Sequence, residues 1–157
     1  MRLEKWALIA EIISGIAIVV TLIFLIVEIS GNSAAIRAAT ATSISERTQT
    51  LILSSLANPA LMDASLRDAG GDELSALDEA LLSQSHAASM KLAEESFIAF
   101  RDGNLDPDVW LTRAEIVLDN LASERERGRW AVRRESGWYV QDFVDYIDAE
   151  LSMRYGQ

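Results

Sequence analysis

ALIAEIISGIAIVVTLIFLIVEI, residues 7–29, decides how the rest of this chain is read. As an α-helix it is about 34 Å long at 1.5 Å per residue, enough to cross the ~30 Å hydrocarbon core of a bilayer. Fifteen of its residues are Leu, Ile, Val or Phe. Each favours insertion by about 0.3–0.6 kcal/mol, whereas Glu11 near one end costs at most about 3 kcal/mol. The apolar region of a cleaved signal peptide is shorter, about 7–15 residues, and closes at a small-x-small site. The run therefore predicts a retained transmembrane anchor over residues 1–30. Trp6 stands where an interfacial aromatic would. Arg2 and Lys5 before the span are matched by Arg37 and Arg47 after it, so positive charge assigns no orientation.

Within the run, Ala7, Ala10, Ser14, Ala17 and Thr21 recur at alternating steps of three and four. That spacing aligns them on one helix face. A face of small side chains gains nothing against lipid but lets a second helix approach closely, with Ser14 and Thr21 available for interhelical hydrogen bonds. Glu11 and Glu28 bracket a charge-free core. In a centred helix each lies about 13 Å from the midplane, at the hydrocarbon edge, where a carboxylate snorkels to the headgroups. The alternative is an intramembrane role, such as a ring of Glu11 side chains around a cation pore.

The remaining residues have a different composition. The chain carries a net charge of −10. Residues 1–29 contribute one negative charge of this, from Arg2 and Lys5 against Glu4, Glu11 and Glu28, so the rest stands at −9. An acidic surface repels phosphate backbones, and nucleic acid is not expected as a partner. Cysteine is absent, which excludes disulfides, thiolate metal sites and cysteine nucleophiles. With two prolines and eight glycines, and no alternating apolar pattern of the kind that marks strands, the fold class is all-α.

Residues 31–57 are rich in Ala, Ser and Thr and contain no proline; they read as a helical stalk or connector. A small acidic helical domain is expected over residues 58–157. Asn58 before Pro59 is a helix start, and Gly70 and Gly71 end that helix. Ser75 with Asp78 forms a capping-box pattern, and Leu82, His86, Met90, Ala93, Phe97 and Phe100 then lie on one stripe. Asp106 and Pro107 repeat the start signal ahead of Trp110, Ala114, Val117, Leu118 and Leu121. Ser123 with Glu126 opens a short arginine-rich helix, and the last helix carries Val140, Phe143, Val144, Ile147 and Leu151 on one side. None of these stripes is buried by its own helix, so about four to five amphipathic helices are expected to pack as a small bundle.

Few residues here suggest chemistry. His86 is the only histidine, which leaves no two-histidine metal site within one chain. On an apolar stripe it reads as a core histidine rather than a catalytic base. The acidic pairs Asp72/Glu73, Asp78/Glu79 and Glu94/Glu95 read as solvated faces, because adjacent helical residues do not face the same way. No phosphate loop, nucleophile elbow or EF-hand loop is present. No metal, cofactor or catalytic set is expected. The most unusual local feature is Arg125, Arg127, Arg129, Arg133 and Arg134 around Trp130. Three uses compete for it: pairing inside the domain with Glu124, Glu126 and Glu135, docking on an acidic surface of another subunit, and contact with lipid phosphates.

Several segments together resemble a family of uncharacterised bacterial single-span membrane proteins with a small C-terminal helical domain. They are EKWALIAEI (residues 4–12), the Asn58-Pro59-Ala60-Leu61 turn, FRDGNLDPDVW (residues 100–110), Gly128-Arg129-Trp130 and FVDYI (residues 143–147). Ala131 and Ser136-Gly137 depart from that family's pattern of a second aromatic and a Ser-Pro. The resemblance implies the same architecture and location in the bacterial inner membrane. It brings no activity with it. The expected function is non-enzymatic: helix association in the membrane, as a homo-oligomer or as an accessory subunit of a larger complex, with lipid and other membrane helices as partners.

Overall fold

A computed structural model describes the backbone of residues 2–156 and the side chains of Trp6 and residues 10–156. The described residues form six helices and no strand: α1 (Arg2–Leu56), α2 (Pro59–Gly70), α3 (Ala76–Arg101), α4 (Pro107–Asn120), α5 (Glu124–Arg134) and α6 (Gln141–Tyr155). The all-α class is thus as composition implies. The chain divides into two units after Ala38.

The first unit is the N-terminal part of α1. Within Ala10–Leu56 the helix contains an 18-residue window of mean hydropathy 2.8, none of it buried. It is the one helix among the described residues long and apolar enough to cross a membrane. The helix does not break at Gly31 and Asn32.

The second unit starts at Ala39, within α1. Ile44 is the reason, since it is buried in the main core cluster. In the Ser/Thr-rich stretch around it the hydroxyls donate back to carbonyls of their own helix, so they are satisfied without breaking it. Thr48 bonds the Ile44 carbonyl (2.7 Å), Thr50 that of Glu46 (2.9 Å) and Ser55 that of Leu51 (2.9 Å).

Local start signals account for the helices that follow. Asn58 Oδ1 accepts the Leu61 amide (3.2 Å) with Pro59 behind it. Ser75 and Asp78 form a reciprocal capping box. Asp106 accepts the Asp108 amide (2.9 Å) and Ser123 that of Glu126 (3.1 Å). Gly71 ends α2 at φ +77°, a left-handed conformation that a Cβ disfavours.

Helix α3 touches α2, α4, α5 and α6 and is the central element. Its expected stripe is buried from Leu82 through Phe97, but so are Leu92, Glu94 and Ser96 on other faces, because helices surround it. The core is aromatic. Phe97 meets Trp110 edge-on at 5.4 Å, Tyr146 lies 5.4 Å from Trp110, and Phe143 links Phe97 to Trp130. Trp110, Trp130, Phe143 and Ile147 are fully buried.

Candidate functional site

Four places carry features beyond packing. The first is the exposed part of α1. Ala10, Ser14, Ala17 and Thr21 are all exposed, and helical spacing keeps them on one face; the side chain of Ala7 lies outside the described ones. The Thr21 hydroxyl donates to the Ala17 carbonyl of its own helix (2.9 Å), so its proton is already engaged. Glu11 and Glu28 are both exposed, about 25 Å apart along the axis.

The second is the arginine run on α5. It is drawn inward, onto acids distant in sequence. Arg129, 8% exposed, meets Asp68 of α2 (2.8 Å), Glu79 of α3 (3.2 Å) and Glu126 one turn before it (2.5 Å). Asp68 also receives Arg125 (2.7 Å). Burial pushes the Asp68 carboxyl up, but the hydrogen bonds and charges of Arg129 and Arg125 outweigh it and hold the group below the usual range. Trp130 Nε1 donates to Asp148 (2.8 Å), whose other oxygen takes Arg134 (2.6 Å). Arg127 donates to the Leu121 and Ala122 carbonyls and lies 4.7 Å from the centre of the Tyr155 ring. Arg133 reaches the Ser83 hydroxyl (3.0 Å) and stands over Trp138. Of the three acids adjacent in sequence, only Glu126 takes part among these contacts; α5 is fastened to α2, α3 and α6 instead.

The third is a polar cleft of about 250 Å³ lined by Ser65, Ser85, Ser89, His86, Asn120 and Glu126, among others. His86 Nδ1 stands 2.6 Å from Glu126 Oε2. Burial raises the Glu126 carboxyl, but His86 and Arg129 together bring it below the ordinary value. A carboxylate that orients an imidazole is what general-base chemistry uses. Here Nε2 is buried with no hydrogen-bond partner, and the Ser65 hydroxyl donates to the Leu61 carbonyl (2.8 Å) rather than toward an imidazole. The Glu126 carboxylate therefore serves His86 and Arg129 rather than closing a reciprocal capping box with Ser123.

Two of the acidic pairs read as solvated faces need correction. Asp78 is 4% exposed and Glu94 1%. Asp78 closes the cap of α3 and takes Arg67 (2.8 Å). The Ser75 hydroxyl, the Ser75 amide and Arg67 hold its carboxyl below the usual range against its desolvation. Glu94 accepts from Lys91 and from the Val140 amide at the start of α6, a helix whose N-cap has no side-chain hydrogen bond of its own. Helical residues diverge by about 100° per step, so one acid of a pair turns inward while its neighbour stays out.

The fourth is an apolar groove of about 250 Å³ between the end of α1, α3 and α4, with Arg113 in its wall. Sequence reading passed over Arg113. The available signal was its spacing, three after Trp110 and four before Val117 on the buried stripe of α4, where a cation is out of pattern. Searches of protein families, curated proteins and solved structures return no match to this chain.

Proposed function

We propose that this is a single-span protein of a bacterial inner membrane that acts by helix association rather than by catalysis, as a homo-oligomer or as an accessory subunit of a larger complex. One observation carries the reading: every described side chain of α1 from Ala10 to Asn32, its Leu, Ile, Val and Phe residues included, is exposed. Water is a costly neighbour for such a surface and lipid is not. A fully hydrogen-bonded helix also leaves no backbone group unsatisfied in hydrocarbon. In this reading α2–α6 form a small acidic bundle in water. The face of Ala10, Ser14 and Ala17 supports a helix partner, since small side chains favour close approach by another helix over lipid.

Replacing Ala10, Ser14 and Ala17 together by leucine is expected to disperse the assembly in mild detergent, read as native mass by light scattering. An unchanged mass would refute the association. The exposure of Glu11 on the same helix favours a second reading, a cation-conducting or sensing oligomer with a Glu11 ring. Equal conductance of Glu11→Gln and the parent protein in liposomes would remove it.

A further inference from the structure

Seven arginines of the second unit, at positions 47, 67, 101, 125, 129, 134 and 154, meet carboxylates. Arg127 and Arg133 direct their donors to carbonyls, a hydroxyl and ring faces. Arg113 differs from all of these. Among the described residues its one hydrogen bond is from an Nη to the Thr48 hydroxyl (2.8 Å), which itself donates to the Ile44 carbonyl. Its Nε is buried and has no acceptor. Burial pushes the guanidinium below the usual arginine value with no carboxylate to oppose it, and it remains a cation at neutral pH.

The surroundings are apolar. Leu51, Ile52, Leu92, Ile116 and Val117 line the groove beside Arg113 and Thr48. Ile52 and Ile116 are 53% and 58% exposed, so the groove opens to solvent between two aliphatic lips. It holds about eight heavy atoms at ~30 Å³ each. A second depression of about 300 Å³ shares Thr48, Ile52 and Arg113 and continues it along α1 toward Leu53. Among the described residues this half-buried cation against aliphatic walls has no carboxylate beside it, and the walls have no apolar occupant.

We propose that this groove binds an anionic amphiphile of medium chain length, its carboxylate or phosphate on Arg113 and its chain between Leu51, Ile52 and Ile116. The same chemistry arises from a free fatty acid or from the headgroup and upper chain of an anionic phospholipid. The site lies wholly within the second unit and does not depend on how α1 associates.

The test uses the full chain in phosphatidylcholine nanodiscs with a twelve-carbon fatty acid bearing a diazirine. Cross-links are expected in peptides holding Leu51–Ile52 or Ile116–Val117. Arg113→Gln is expected to lower them at least fivefold, and Ile116→Trp, which fills the groove from an exposed position and keeps the charge, to do the same. Dodecanol is expected to compete at least tenfold more weakly than an anionic competitor. Displacement by dodecanoate assigns the site to free acids, and displacement only by added phosphatidylglycerol assigns it to lipid headgroups. Displacement by neither overturns the proposal. So do cross-links confined to residues 10–29, dodecanol matching the anion, or undiminished labelling of both variants with native helix content by circular dichroism. If Arg113→Gln does not fold, Ile116→Trp decides alone.

Discussion

Glu94 and Glu95 offer a sharp test of how this domain is held, because two identical residues adjacent in sequence are assigned opposite roles. Glu94→Ala removes a carboxylate that is 1% exposed and strands the Val140 amide at the start of α6. Its other partner, Lys91, is half exposed and is taken up by water. A hydrogen bond to a charged group contributes about 1.5–3 kcal/mol, and relief of the buried charge offsets part of the lost packing, so about 2 kcal/mol is expected. For a unit of ~120 residues, with an unfolding entropy of about 2.1 cal/mol/K per residue, that is a fall of about 8 °C in Tm. Glu95→Ala breaks only the exposed pair with Arg47 (2.5 Å), below about 1 kcal/mol or ~4 °C. Fluorescence of the buried Trp110 and Trp130 during heating in mild detergent reads both variants, and hydrogen exchange at the Val140 amide reads the local effect. A shift for Glu94→Ala no larger than that for Glu95→Ala, with Val140 still protected, would refute the assignment.

Three further outcomes are expected. Acid should unfold the second unit. Asp68, Asp78 and Glu126 have carboxyls held below their ordinary values, so the stability they contribute is complete above about pH 5 and is lost as pH falls through the lowered native values. Asp68→Asn should therefore flatten the acid limb of Tm against pH, and an unaltered limb would count against the Arg129 network. Trp130→Phe removes the Nε1 donor to Asp148 together with part of a fully buried indole. A loss of about 2–3 kcal/mol in denaturant unfolding is expected, the hydrogen bond and the small cavity both contributing, and a loss below about 1 kcal/mol would count against the burial of this ring. In the membrane segment, Val19→Arg with Ile23→Arg places two charges near the centre of the run at about 5–7 kcal/mol, comparable to the whole gain from its fifteen apolar residues. Alkaline carbonate should then extract the chain from vesicles while the parent protein stays in the pellet.

Sequence alone determined what depends on neighbours a few residues away. The apolar run of α1 stands out because hydropathy is summed locally. The starts at Asn58, Ser75, Asp106 and Ser123 are legible because a cap is completed within two or three residues. The stripes through Phe97, Val117 and Ile147 follow from the helical period. Tertiary structure decided what depends on partners 46–65 residues away. Nothing near Glu94 in sequence indicates that it serves Val140, and nothing near Arg129 indicates Asp68. Many charged pairs have the right signs, and only packing determines which come within 3 Å. Ile44 likewise draws the end of a long helix into the core, a long-range contact that a weakly periodic Ser/Thr-rich stretch does not announce. Arg113 is the extreme case: its identity is plain in the sequence, but the lack of a counter-charge is a property of everything packed around it.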